Sequence, residues 1–279
     1  MASIQVYRGA DDPLHHTCGA ARVFGLWYVT AAHCVTDVDT STPMAADLFH
    51  VRVGSANRAS GGALLNVVKI LVNAIWAWPN TGPGIVGDTA MLKVDTYVQG
   101  LQPFEVAPKT SFGSDLRLLG WGITEPNGDL PPPELLQELD TRLLPPGSCP
   151  ADYLIGADQL CVDNPNGTDG PCRGDSGGPA TQKVPGSHPV RWAVVGGAFA
   201  GPHFCGTGPS LYTDWTYWRA WIFAVARTEV VPPRIDGGPG HGRPTGPPTA
   251  AIKTAVKTGV TGNHAQWHAD CGQNRACGD

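Results

Sequence analysis

A histidine and a serine stand in two short motifs whose residue types suit nucleophilic catalysis. The segment Thr-Ala-Ala-His-Cys places His33 directly after an apolar run, and Gly-Asp-Ser-Gly-Gly-Pro places Ser176 in a glycine-rich turn. A serine hydroxyl is a weak nucleophile at neutral pH and needs a base to take its proton. Histidine suits this role because its ordinary pKa lies near neutrality. Together, His33 and Ser176 predict acyl transfer through an activated serine.

The glycines beside Ser176 predict a second part of the same chemistry. A sharp turn of this backbone directs the amides of Gly174 and Ser176 towards one point. Two such N–H groups stabilise the oxyanion of a tetrahedral intermediate, and the loss of one donor costs about 3 to 4 kcal/mol. We therefore expect Gly174 and Ser176 to form an oxyanion hole. Either motif alone is more often structural than catalytic, and only their combination favours catalysis.

The elements that position these residues are expected to be short β-strands. The 279 residues include 36 glycines and 26 prolines, 42% of them are hydrophobic and 15% are charged, which favours turns and strands over long helices or disorder. Apolar, β-branched or aromatic runs occur at 23–30, 48–53, 64–72, 90–94, 116–121, 192–199 and 210–213. One helix is predicted over Thr213–Val225, with Asp214 as its N-cap and an apolar stripe that packs on the core.

Length and charge exclude several classes of protein. The net charge of −5 offers no basic surface for nucleic acid. No apolar run reaches the roughly 18 to 20 residues that a membrane helix needs. We expect a folded domain over 1–231, a Pro/Gly-rich linker over 232–249 and a tail over 250–279. In the tail, Cys271 and Cys277 either close a small disulfide loop or belong to an attachment, processing or partner-binding segment.

Eight cysteines predict disulfides and an oxidising compartment, so secretion is the expected location. The sequence nevertheless starts without the basic and apolar stretches of a signal peptide. Upstream sequence that is missing from this chain would reconcile the two observations. Spacing alone leaves the pairing of the first six cysteines open.

Both motifs resemble those of the chymotrypsin/trypsin-like serine peptidase family, and the resemblance covers roughly residues 18–226. It implies an all-β fold of two antiparallel six-stranded β-barrels with a C-terminal helix, the barrels spanning about 1–106 and 107–228. It also implies an aspartate that orients the histidine. The segment Gly-Asp-Thr-Ala-Met-Leu makes Asp88 that residue, and Asp95 is its nearest competitor. The predicted catalytic residues are therefore His33, Asp88 and Ser176.

The resemblance also selects one disulfide pairing and one activity. The implied pairs are Cys18 with Cys34, Cys149 with Cys161, and Cys172 with Cys205. The implied activity is that of a secreted serine endopeptidase that works through an acyl-enzyme, without cofactor or metal. Its partners would be protein or peptide substrates and proteinaceous inhibitors, and the chain would be a monomer. The alternatives are a zymogen-like or non-enzymatic binding protein on the same fold, and an esterase-like hydrolase.

The predicted substrate pocket departs from the trypsin-like pattern. Gly170 stands where trypsin-like members carry an aspartate, and Asp169 is one position away. Pro171, Phe199 and Ser210 complete the expected pocket, and Ser210 narrows it where glycine is common. We therefore expect a neutral P1 residue in the substrate rather than a basic one.

Activation is the second departure from the family pattern. Family members are usually activated by cleavage that frees an Ile-Val-Gly-Gly-like N-terminus, whose ammonium pairs with the aspartate before the catalytic serine. That aspartate is Asp175 here, and no such sequence precedes Cys18. From the sequence we therefore expect a buried Asp175 carboxylate without its ammonium partner, and a mobile, zymogen-like oxyanion loop.

Overall fold

The strands form two β-barrels, seen in a computed structural model that describes residues 1–7, 14–79, 86–124, 131–149 and 156–228. The first barrel is closed, and its strands pair in antiparallel fashion in the order β1-β2-β3-β6-β5-β4. These strands are Ala2–Val6 (β1), His15–Phe24 (β2), Trp27–Thr30 (β3), Phe49–Val53 (β4), Ala63–Val72 (β5) and Ala90–Val94 (β6).

The second barrel follows a short strand, Glu105–Val106 (β7), which pairs in parallel with a strand of that barrel. Its strands are Asp115–Gly120 (β8), Gln137–Leu144 (β9), Gln159–Val162 (β10), Pro179–Lys183 (β11), Trp192–Ala200 (β12) and Ser210–Asp214 (β13). Pairing runs β11-β8-β9-β10-β13-β12, and the pairing of β11 with β12 closes the ring. The predicted fold class of two six-stranded barrels is confirmed.

Alternation of apolar and polar residues explains the barrel cores. In β4, Phe49, Val51 and Val53 are buried, while the residues between them are partly exposed. In β8, Leu116 and Leu118 point inwards in the same way. This period of two is what a strand with one buried face requires. Short 3₁₀ turns lie at Ala32–Cys34, Ala46–Leu48, Pro146–Ser148 and Pro165–Gly167.

The C-terminal helix is present but begins later than the sequence predicts. It spans Arg219–Arg227 (α1), and Asp214 is the last residue of β13. The Asp214 Oδ1 accepts hydrogen bonds from the amides of Thr216 and Tyr217 at 2.7 and 3.1 Å, so it caps a tight turn instead of the helix. The predicted packing is confirmed, because Ile222 and Val225 join a buried cluster.

Other strand expectations were incomplete. The run at 23–30 is divided between β2 and β3 by a turn at Gly25, which has a positive φ of 49°. Five strands, β1, β7, β9, β10 and β11, were not predicted from hydrophobic runs. The linker at 232–249 and the tail at 250–279 lie outside the described residues. No helix within the described ranges is long and apolar enough to cross a membrane.

Candidate active site

His33 lies on the 3₁₀ turn directly after β3. A disulfide between Cys18 and Cys34 ties this turn to β2. The His33 ring packs against two aromatic rings, with its centroid 6.1 Å from that of Trp78 and 6.3 Å from that of Phe199. The His33 side chain is 8% exposed, so its orientation is set by contacts with neighbouring residues and not by solvent.

Asp88 holds His33 with both oxygens of its carboxylate. Its Oδ2 lies 2.8 Å from His33 Nδ1, and its Oδ1 accepts a hydrogen bond from the His33 backbone N–H at 2.8 Å. Asp88 is 1% exposed. Because an ionised carboxylate only accepts hydrogen bonds, Nδ1 carries the proton and Nε2 is left with its lone pair. The competing carboxylate, Asp95, instead accepts a hydrogen bond from Asn66 Nδ2 at 2.6 Å.

The loop that carries Ser176 packs against the first barrel. The Ser176 carbonyl accepts a hydrogen bond from the Gly19 amide at 2.8 Å. The next residue, Gly177, has a φ of 67°, and a Cβ at this position would overlap the Thr30 hydroxyl and lie 2.9 Å from the Ala31 amide nitrogen. Only glycine allows this approach. The serine loop is therefore packed against the segment that leads into His33.

The amides of this loop divide into two groups. Those of Asp175, Gly177 and Gly178 donate hydrogen bonds to backbone carbonyls at 2.8 to 2.9 Å. Those of Gly174 and Ser176 donate to no acceptor within the described part of the chain. Gly174 has a φ of 92°, a conformation that L side chains rarely adopt. The two remaining N–H groups are the pair that the sequence assigns to an oxyanion hole.

The expectation that Asp175 lacks an ammonium partner stays a prediction, but two backbone amides bind its carboxylate. Its Oδ1 accepts a hydrogen bond from the Gly122 amide at 2.7 Å, and its Oδ2 accepts one from the Cys172 amide at 2.9 Å. Asp175 is also only partly buried. The close approach is possible because any Cβ on Gly120 or Gly122 would overlap this carboxylate. Backbone N–H groups thus stabilise its charge.

A cavity of about 40 Å³ lies beside this carboxylate and is lined by Gly120, Gly122, Asp175 and Tyr212, among others. Burial, and to a smaller extent the charge of Asp175, raises the pKa of Tyr212 well above its usual value. The phenol therefore stays neutral at physiological pH, and the carboxylates in the lining of this cavity are those of Asp175 and Glu138.

His16 is a functional candidate that the sequence analysis missed. Its Nε2 donates to the Gly174 carbonyl at 2.9 Å, and its Nδ1 therefore accepts from the Ser3 hydroxyl at 2.8 Å. It also packs edge-on against Trp121 with centroids 5.7 Å apart. Nothing in its sequence context distinguishes it from other histidines, because its partners come from β1 and the serine loop.

Burial lowers the pKa of His16 from 6.5 to about 4, helped by the positive charges of Arg58 and His15 and opposed by the bond to Gly174. Below pH 6.5, His16 is therefore protonated in the unfolded chain, whereas in the folded protein it becomes protonated only near pH 4. The stability that His16 contributes is fully present above this window. It is lost as the pH falls through it, by about 3 kcal/mol in total.

We expect the His16→Gln variant to lose much of this pH dependence, since an amide keeps polar atoms at the site but does not titrate here. Urea unfolding at pH 7 and pH 4.5 should show the wild type losing about 2 to 3 kcal/mol more than the variant between the two conditions. His15→Gln serves as the matched control for the neighbouring histidine. Equal losses in wild type and His16→Gln would show that His16 is not the group responsible.

Two of the predicted pocket residues, Gly170 and Ser210, lie close together. A Cβ at Gly170 would lie 3.2 Å from Gly206 Cα and 3.9 Å from Ser210 Oγ. Ser210 is 1% exposed, and its hydroxyl has no hydrogen-bond partner within the described ranges. A disulfide between Cys172 and Cys205 joins the two segments that contain these residues.

Asp169 does not take the place of the missing pocket aspartate. Its carboxylate accepts hydrogen bonds from Asn166 Nδ2 at 3.0 Å and from the Thr168 hydroxyl at 3.1 Å, within its own turn. Asp169 is 4% exposed. Pro171 and Phe199 are also buried. The carboxylate is thus committed to the turn at 166–169, which removes the main argument for a basic P1 residue.

One cluster of potential metal ligands lies next to the site, formed by Cys18, His33 and Cys34, and it does not fit an ion. Their ligand atoms lie within 4.8 Å of one another. Both sulfurs, however, are joined in a disulfide and are not thiolates. The other two disulfides join Cys149 with Cys161 and Cys172 with Cys205. All three bonds are the pairs that the resemblance implies.

Comparison with known sequences agrees with the fold of two barrels. The sequence model of the family described as Trypsin matches residues 1–222. The chain therefore belongs to the trypsin family of peptidases. Among characterised relatives, Ovochymase of Halocynthia roretzi is 26% identical over 237 residues, which cover 79% of this chain and 14% of that protein. The chain thus spans about one seventh of the length of that relative.

Proposed function

We propose that this protein is a secreted serine endopeptidase that hydrolyses peptide bonds through an acyl-enzyme. The observation that carries the proposal is the double contact of Asp88 with His33, at 2.8 Å from each carboxylate oxygen. It fixes both the ring and the turn on which the ring stands. The packing of the Ser176 loop against Thr30 and Ala31 supports the same assignment, since this loop lies beside the segment that leads into His33.

The reaction proceeds in two steps, acylation of Ser176 and hydrolysis of the acyl-enzyme. Ser176 Oγ attacks the scissile carbonyl carbon and gives its proton to His33 Nε2, while Asp88 stabilises the resulting imidazolium. The amides of Gly174 and Ser176 hold the oxyanion. The intermediate collapses when His33 returns the proton to the leaving amine and the C–N bond breaks. Water then attacks the acyl-ester by the same route, which releases the acid and restores Ser176.

The partners and location are part of this proposal. Protein or peptide substrates and proteinaceous inhibitors fit an endopeptidase cleft, and we expect a monomer that requires neither metal nor cofactor. Three disulfides support an oxidising compartment and therefore secretion. The pocket floor of Gly170 and Ser210 presents no carboxylate, which supports a neutral P1 residue.

Asp175 is the proposed activation partner of a newly cleaved N-terminus. The cavity beside it is lined mostly by apolar or small residues, and the other carboxylate in its lining, Glu138, forms an ion pair with Arg117. An ammonium that enters the cavity would add an ionic partner to the two backbone N–H groups already bound. The added contact would hold the Gly174 and Ser176 amides in place.

A labelling experiment tests the proposal. A fluorophosphonate probe is applied to the full chain and to a version with Ile-Val-Gly-Gly-Thr, freed by cleavage, ahead of Ala2, and a peptide library is digested in parallel. We expect labelling and endoproteolytic cleavage after neutral residues, strongest in the extended form. If neither form labels while both are folded, the binding-protein alternative replaces the proposal. Hydrolysis of esters without cleavage of peptides would instead favour the esterase alternative.

A further inference from the structure

A second buried carboxylate lies directly behind Asp88. Asp158, which is 1% exposed, stands just before β10 in the second barrel. Its Oδ2 accepts hydrogen bonds from the Gly87 amide at 2.7 Å and from Trp218 Nε1 at 2.9 Å. Asp158 therefore binds the backbone N–H of Gly87, the residue that immediately precedes Asp88.

The backbone at Gly87 needs an external restraint. Its φ is 74°, and a Cβ at this position would lie 2.6 Å from Ile75 Cγ1, so no other residue fits without a shift. Glycine leaves the chain freer to rotate than any other residue. The direction of Asp88 follows from the backbone conformation of Gly87. A fixed acceptor for the Gly87 N–H therefore limits how far the Asp88 carboxylate can turn away from His33.

Asp158 itself is firmly placed. Its backbone carbonyl accepts a hydrogen bond from the Asp214 amide at 2.7 Å, at the end of β13. Trp218, its other side-chain partner, directly precedes α1. The contact with Gly87 thus joins the first barrel, which carries His33 and Asp88, to the second, which carries Ser176.

The carboxylate of Asp158 is only partly paired. Asp158 Oδ1 has no hydrogen-bond partner within the described part of the chain, although the residue is almost fully buried. Leaving such an atom unpaired is unfavourable. A carboxylate does, however, accept stronger hydrogen bonds than a neutral group, so an amide at this position would weaken the bond to Gly87 without removing it.

We propose that Asp158 is a positioning residue for the reaction: through the Gly87 amide it holds Asp88 in the orientation from which both carboxylate oxygens reach His33. It does not touch substrate, and it acts only through Asp88. The proposal rests on the proposed peptidase function, so its test includes a measurement that does not require turnover.

The test compares Asp158→Ala, which removes the acceptor, with Asp158→Asn, which keeps an oxygen for both donors. Trp218→Phe is the matched control, since it removes the other hydrogen bond to the same carboxylate and leaves Gly87 bound. For each variant we measure kcat, KM, the melting temperature and the proton NMR signal of His33 Nδ1–H. If Asp158→Ala does not fold, Asp158→Ser replaces it, because its shorter side chain does not reach the Gly87 amide.

We expect Asp158→Ala to lower kcat about tenfold to hundredfold with little change in KM, and to shift or broaden the Nδ1–H signal. Asp158→Asn and Trp218→Phe should keep most of kcat and an unshifted signal. Full activity with an unchanged signal in Asp158→Ala, or an equal loss in Asp158→Asn, would overturn the proposal. If the wild type itself neither labels nor cleaves, the peptidase function fails, and the NMR signal still decides the role of Asp158.

Discussion

Replacement of Ser176 by alanine is expected to lower kcat for peptide hydrolysis about a millionfold. The variant has no nucleophile, and the Asp88–His33 pair then has no hydroxyl to activate. The small remaining rate should come from the Gly174 and Ser176 amides, which the substitution leaves in place. Hydrolysis of a fluorogenic peptide with a neutral P1 residue, measured alongside labelling by the fluorophosphonate probe, gives both quantities.

An exposed serine provides the control for this substitution. Ser60 lies on a loop of the first barrel and is exposed, so Ser60→Ala should retain normal labelling and turnover. Binding of a substrate-like peptide inhibitor shows whether the Ser176→Ala cleft is still formed. Undiminished labelling of Ser176→Ala would mean that another residue is the nucleophile, and the assignment of the motif would be wrong.

The fold was predictable mainly through the motifs and only partly through local patterns. Runs such as 48–53 and 90–94 gave strands close to the observed β4 and β6, because each places apolar residues on one buried face. Strand β9 was not predicted because it lacks an apolar run and contains charged residues. Two of these, Glu138 and Asp140, form ion pairs with Arg117 of the neighbouring strand β8. The burial of β9 depends on a partner strand and not on its own pattern.

The helix start shows a related limit. Asp214 has the residue type of an N-cap, and it does accept amide hydrogen bonds from the residues that follow. Its own backbone, however, pairs with Gly196 in β12, so the strand continues through it. The prediction of Asp214 as the N-cap of the helix was therefore wrong, because sheet pairing determines where the helix begins.

The site divides in the same way between motif residues and residues brought in by the fold. His33, Asp88 and Ser176 stand in recognisable segments and could be chosen from the sequence. His16 and Asp158 could not, since each acquires its role from buried contacts with segments more than 60 residues away. Their importance comes from burial of polar groups with specific partners, which spacing along the chain does not reveal.

The partners of the Asp175 carboxylate illustrate why the sequence overstated its isolation. The family pattern draws attention to one ammonium, whereas the structure supplies two backbone amides through Gly122 and Cys172. Backbone donors are available at almost every residue, so sequence alone rarely indicates where they converge. Gly120 and Gly122 were the only signal, because two glycines around Trp121 permit a close approach.

The second large effect is expected at Asp88, where Asp88→Asn should lower kcat about ten-thousandfold near neutral pH. The carboxylate accepts from two donors of His33, its backbone N–H and its Nδ1–H. An asparagine offers one oxygen and one NH₂ group, so one of these two contacts becomes donor against donor. The histidine avoids the clash most easily by moving its proton to Nε2, and the ring then cannot accept the proton of Ser176.

Asp95→Asn is the matched control, because Asp95 is the competing carboxylate and lies exposed beside Asn66. It should retain normal kcat, while Asp88→Asn should retain KM and a wild-type melting temperature within a few degrees. The tautomer argument also predicts that ¹⁵N NMR of Asp88→Asn shows the His33 proton on Nε2 instead of Nδ1. A loss of activity in Asp95→Asn with normal turnover in Asp88→Asn would reverse the assignment. Normal turnover in both would mean that the double contact at 2.8 Å does not orient the catalytic base.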